Sequence, residues 1–147
     1  MTVPSSLEDR VKLLEDIESI KKLTATYAHY VDRGWNERAV NAAGLPTVFA
    51  EDATWKYDAG PVDVSGRDTI VAMLTGPSPA VFAQHSFSNP IIDVDGDTAT
   101  GSWLLWVGVD MGDGAKEVFQ SEDLTYVRTS SGWVIKSIDL RFGRMLG

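Results

Sequence analysis

The chain has 147 residues, 44% of them hydrophobic and 10% aromatic with five Trp, enough for the packed core of one ordinary domain and too apolar for wholesale disorder. Thirteen Lys and Arg against 21 Asp and Glu leave a net charge of -8, which repels nucleic-acid phosphates and anionic membrane surfaces and argues against both as partners. Cys is absent, so disulfides, thiolate nucleophiles and cysteine-ligated metals are excluded, and His29 and His85 are the only imidazoles.

The acidic N-terminus has no apolar leader segment, and no run approaches the roughly 20 apolar residues of a membrane span, which reads as a cytoplasmic protein. Its first few residues read as a mobile tail. Ser6 followed by Asp9 resembles a capping box, and Leu14, Ile17, Ile20, Leu23, Tyr27, Tyr30 and Val31 recur at helical spacing as far as Gly34. A second helix is expected from Asn36 to about Ala43, with Gly44 and Pro46 as its stop. Ala53 to Asp58 alternates around Trp55 and Tyr57 as a strand, and Arg67 to Leu74 reads as a third helix burying Ile70, Val71 and Leu74.

Four long strands follow, near Val81 to Val94, Thr98 to Asp110, Ala115 to Thr129 and Trp133 to Phe142. They are separated by Asp95-Gly96, Gly112-Asp113-Gly114 and Ser131-Gly132. Helices first and a meander afterwards indicate an α+β fold, one sheet face covered by the N-terminal helices. Gly112 and Gly114 fall between strands and do not open a helix, which excludes a phosphate-binding loop there. No linker, repeat or biased tract divides residues 1–147, so a single domain is expected.

Several strings sharpen this picture. They are Tyr-Ala-His-Tyr-Val-Asp-Arg-Gly closing the first helix, Phe-Ala-Glu-Asp-Ala-Thr-Trp, Gly-Arg-Asp-Thr-Ile, His-Ser-Phe-Ser-Asn-Pro, Asp-Gly-Asp-Thr-Ala and Ser-Gly-Trp. With the element order they resemble the SnoaL-like branch of the nuclear-transport-factor-like, cone-fold superfamily over roughly residues 10 to 140. The resemblance implies a curved sheet wrapped round a long helix, an apolar pocket at the open end, and dimers formed through the sheet. It leaves function open, because such cones serve as dehydratases, a dehydrochlorinase, isomerases, cyclases, epoxide hydrolases and non-catalytic proteins.

The resemblance to scytalone-dehydratase-like and dehydrochlorinase-like members matches Asp32 and His85 to an Asp-His catalytic pair. A carboxylate on one imidazole nitrogen fixes the tautomer and leaves the other as a base. The plain alternative is a helix-end Asp and a satisfied core His. Tyr27, five residues before Asp32, resembles the Tyr of bile-acid dehydratases, yet at 100° per residue the two lie about 140° apart round the helix, and Tyr27 also suits ordinary core. Tyr57 matches a strand Tyr that holds a substrate oxygen, and Trp55 would form pocket wall or core. The sequence departs from those relatives in having no second pocket His in Trp103 to Val109 and Ile138 where the dehydrochlorinase has an arginine.

Asn89, four residues beyond His85, would share its strand face and orient a polar group, or serve structure only, with Pro90 marking an irregularity. His29 falls on the polar side of the first helix as a solvated residue. Two His and scattered carboxylates show no metal-ligand spacing, so neither metal nor organic cofactor is expected. The reading is a cofactor-independent lyase of dehydratase type, or an isomerase, acting on a small apolar cyclic or polyketide-like substrate. A hydrolase using the same pair and a non-catalytic dimeric binding module are the alternatives.

Overall fold

The computed structural model describes residues 6–147, and the expectation for the first few residues lies outside them. Helix α1 spans Leu7–Val31. Ser6 caps it, its Oγ accepting the Asp9 N–H at 3.0 Å, and Glu8 and Asp9 complement the helix dipole in the first turn. One side of α1 buries Asp16, Ile20, Thr24, Tyr27, Ala28 and Val31, whereas Leu14 stays exposed and its neighbour Leu13 packs against the core. Each large apolar side chain so buried stabilises the helix by roughly 1.5–3 kcal/mol, more than its intrinsic propensity supplies.

The second helix is corrected by the structure. Residues 36–43 form turns flanking an irregular stretch at 38–41, and helix α2 is only Leu45–Val48. Asn36 and Glu37 adopt φ of 47° and 59°, which no right-handed helix accommodates. Gly44 and Pro46, expected as a stop, stand at the start of α2, since proline suits the first helical turn. The Asn41 N–H is already committed to Tyr30 O at 2.8 Å, and its side-chain Oδ1 accepts the Gly44 N–H at 2.8 Å, so tertiary bonds take the place of a helical ladder.

The strands are β1 (Phe49–Tyr57), β2 (Val62–Ser65), β3 (Phe82–Asp95), β4 (Thr98–Asp110), β5 (Ala115–Thr129) and β6 (Gly132–Leu146). Helix α3 (Arg67–Thr75) lies between β2 and β3. They form one sheet in the order β2-β1-β6-β5-β4-β3. The meander is antiparallel as expected, but the β1–β6 pair is parallel, which makes the sheet mixed, and β2 was not foreseen. Register shifts between Ser88 and Ile91 and within the β5–β6 pair bend the long strands, so the sheet curves round α1 without closing.

Strand alternation decides which side chains enter the cone. Trp103, Leu105 and Val107 of β4, Val118, Leu124 and Tyr126 of β5, and Ile138 and Leu140 of β6 are buried against α1, while Leu104 and Phe119 face outward. Polar ties fix the helix in this trough. Arg128 NH1 and NH2 each donate to Asp16 at 2.7 Å, and Trp133 Nε1 donates to Asp16 at 3.1 Å. Further along α1, Trp103 Nε1 donates to the Tyr126 hydroxyl at 3.0 Å, which lies 2.8 Å from Thr24 Oγ1. Thr24 spends its own proton on Ile20 O at 2.9 Å, so the Tyr126 hydroxyl donates to Thr24.

Candidate active site

The end of α1 builds the first wall of the site. Asp32 leaves the helix in an extended conformation, and the next residue, Arg33, forms a backbone bridge with Ala83 through bonds of 3.0 and 2.9 Å. Gly34 makes that approach possible. Its φ is 79°, and a Cβ there would lie 2.0 Å from Val81 O, so any other residue would push the helix end off β3.

The bridge carries Asp32 to His85, two residues beyond Ala83. Asp32 is 3% exposed, and its Oδ1 accepts the His85 backbone N–H at 2.8 Å and meets His85 Nδ1 at 2.8 Å. Two donors on one oxygen hold the carboxylate rigid. With Nδ1 bearing the proton toward Asp32, the His85 Nε2 carries the lone pair.

His85 borders a cavity of about 530 Å³ at the open end of the cone, walled mainly by apolar side chains such as Val31, Leu74, Leu105, Val107 and Leu140. It also borders a smaller groove of about 360 Å³ between α1 and β3, shared with Ala25, His29 and Phe87. The larger volume suits a small ring compound. Among the described residues no three His, Asp or Glu side chains come together as a metal site.

The other expected site residues divide. Tyr27, Trp55 and Tyr57 join His85 on the main cavity, despite the angle between Tyr27 and Asp32 on the helix, because Asp32 has left the helix and turned toward β3. Trp55 Nε1 donates to the Tyr27 hydroxyl at 3.4 Å, and Trp55 stacks on Tyr57 with ring centroids 6.0 Å apart. The Tyr57 hydroxyl donates to Gln120 Oε1 at 2.6 Å, so its proton is committed. Burial pushes both phenols up from their ordinary values, Tyr27 further than Tyr57, with the Glu122 charge adding to the Tyr27 effect and Asp58 to that of Tyr57.

Asn89 does not join the cavity. It is exposed with φ 51° at the register shift of β3, where the irregularity before Pro90 breaks the alternation that would have aligned it with His85. His29 is exposed, its Nδ1 lying 2.9 Å from the Arg38 guanidinium. Two polar cavity residues were missed from sequence, Gln120 and Glu122. Glu122 is 2% exposed, and its Oε1 has no hydrogen-bond partner among the described residues. Burial pushes its carboxyl up to about 8. The signal was present: Glu122 occupies an inward position of β5 in strict alternation with Val118, Leu124 and Tyr126.

A helix-wrapping, unclosed mixed sheet with an apolar cavity at its open end defines a nuclear-transport-factor-like, cystatin-like fold, and solved structures share it. A protein of that description from Novosphingobium aromaticivorans is 24% identical with a TM-score of 0.76, covering 95% of this chain and 92% of its own. A candidate scytalone dehydratase from the same organism is 20% identical with a TM-score of 0.78, over 90% of this chain and 87% of its own. A type 2 hexachlorocyclohexane dehydrochlorinase is 14% identical with a TM-score of 0.79, over 93% and 91% respectively. At these identities the likeness shows the fold alone. No curated protein matches the sequence. The SnoaL-like domain model matches residues 12–139, and the chain belongs to that family.

Proposed function

We infer that the chain is a cofactor-independent lyase of dehydratase type acting on a small, largely apolar ring or polyketide-like compound. The observation that supports it best is the 2.8 Å contact between Asp32 Oδ1 and His85 Nδ1 at the edge of an apolar cavity. His85 Nε2 removes a proton from carbon, one acidified by a neighbouring carbonyl, and the buried Asp32 carboxylate orients the ring and balances the imidazolium. The electron pair of the broken C–H bond forms the new double bond as the C–O bond breaks. Tyr27 supports the developing charge on oxygen: its hydroxyl accepts from Trp55 and keeps its own proton to donate, whereas that of Tyr57 is spent on Gln120. Returning the proton to a different carbon would make the same site an isomerase.

The test uses cyclic β-hydroxyketones such as 3-hydroxycyclohexanone, whose loss of water creates a conjugated enone with a new ultraviolet band. His85→Ala should lower turnover by roughly 10²- to 10⁴-fold, the usual share of general-base catalysis, and Asp32→Asn should impair it as well. Parent-like turnover in His85→Ala, in a variant that still folds, would refute the mechanism. Binding of such rings without turnover by the parent would favour a non-catalytic module.

A further inference from the structure

One buried group in the cavity has no part in that mechanism. Glu122 lies across the register from Trp103 on β4 and Leu140 on β6, both buried, so its side chain points to the interior with apolar neighbours on either hand. Its carboxyl oxygen Oε1 is buried without a partner among the described residues, yet the residue lines the same cavity as His85 and Tyr27. A carboxyl placed there for structure alone would be expected to have its hydrogen bonds satisfied within the protein. Here the residue borders the space a ligand would fill.

We propose that Glu122 is a second catalytic group, a carboxylic acid that donates its proton to a substrate oxygen in the cavity while His85 takes the proton from carbon. The proposal rests on the elimination reading for its catalytic step, and its binding component stands independently of that reading. In the step, the C–H electron pair becomes the double bond and the C–O bond breaks. The departing oxygen takes the Glu122 proton and leaves as water. His85 then holds the carbon's proton and Glu122 is a carboxylate; His85 releases its proton to water and Glu122 regains one, so the net reaction is loss of one water.

Geometry and charge agree. Desolvation raises the carboxyl's proton affinity to about 8, so at neutral pH the group is chiefly an acid and a donor. The titratable groups facing it are Tyr27 on α1, Tyr57 on β1, His85 on β3 and Tyr126 on β5. Burial holds all three phenols in their neutral form in this range.

The test needs no turnover. Acetophenone carries one carbonyl acceptor and does not ionise, while ethylbenzene has the same shape without it, so the ratio of their affinities, measured by NMR titration, reads the donor. In the parent, that ratio should exceed the ratio in Glu122→Leu by about tenfold, the value of one hydrogen bond from a buried donor. Glu122→Gln, which keeps a donor of the same shape, should retain most of the preference. The parent's ratio should fall as pH rises through about 8, where the acid ionises, and this step should persist in His85→Ala and vanish in Glu122→Gln. On a β-hydroxyketone, Glu122→Gln should then bind normally and turn over roughly 10²-fold or more slowly. Equal ratios in parent and Glu122→Leu, or a parent ratio unchanged between pH 6 and 9, would overturn the proposal. If the ratio tracks Glu122 while His85→Ala leaves turnover untouched, the donor site stands and the base assignment falls.

Discussion

Replacing Glu122 by Gln should change how stability depends on pH, whatever the substrate. In the unfolded chain the carboxyl titrates near 4.5, and in the fold it titrates near 8. A group whose folded value is raised stabilises the fold fully below its unfolded value and loses that contribution as pH rises through the folded one. The window is therefore about pH 4.5 to 8. At about 1.4 kcal/mol per pH unit this interval sets a ceiling of about 5 kcal/mol, and water entering the open cone to solvate the carboxylate reduces the expected loss to roughly 2–4 kcal/mol. Against the 5–15 kcal/mol typical of a domain, such a loss is readily measured. Urea unfolding at pH 5, 6.5 and 8, at one fixed protein concentration, gives the comparison. The parent should lose stability relative to Glu122→Gln across the series, and by pH 8 the variant should be the more stable protein. Because both chains share every other carboxylate, the difference cancels the general repulsion of the net charge of -8. Parallel pH profiles for the two proteins would refute the reasoning.

Asp16→Asn should cost roughly 1–3 kcal/mol by urea unfolding, since it breaks the charge-assisted bidentate bond to Arg128, whose guanidinium lies 4.5 Å over the Trp133 ring and keeps Asp97 and Gly96 O as partners. Hydrogen bonding to Arg128 holds the Asp16 carboxyl below its ordinary 3.8, so the parent's advantage should be complete above that value and be lost as pH falls below it through the lower folded value; an unchanged midpoint at pH 7 would contradict this account. We also expect a homodimer formed through the outer sheet face, where Leu104 and Phe119 are 50% and 42% exposed on neighbouring strands. Light scattering behind gel filtration should give twice the chain mass, falling to one in Leu104→Asp, and a monomeric parent at micromolar concentration would refute it.

The sequence by itself determined what local physics controls. The helical spacing from Leu14 to Val31 and the alternation of the last four strands place those elements within a few residues of where they fold, because 3.6- and 2-residue periods are written in side-chain polarity. The turn signals at Gly96, Gly112 to Gly114 and Gly132 did the same for the meander. Where a segment's hydrogen bonds go elsewhere, the local signal misled. Residues 36–43 lack a helix because Tyr30 and Gly44 claim the bonding groups of Asn41, and β2 takes its strand form from its pairing with β1.

The site shows the same division. Asp32 and His85 could be named from their strings, but only the Arg33–Ala83 bridge, with Gly34 admitting the β3 backbone, puts them 2.8 Å apart. Asn89 was placed on the cavity by a regular alternation that the register shift of β3 breaks. Glu122 shows the limit most plainly. Its inward parity was legible in β5, whereas the lack of a partner for its Oε1 among the described residues depends on what β4, β6 and α1 place around it, and those neighbours come from segments distant in the chain.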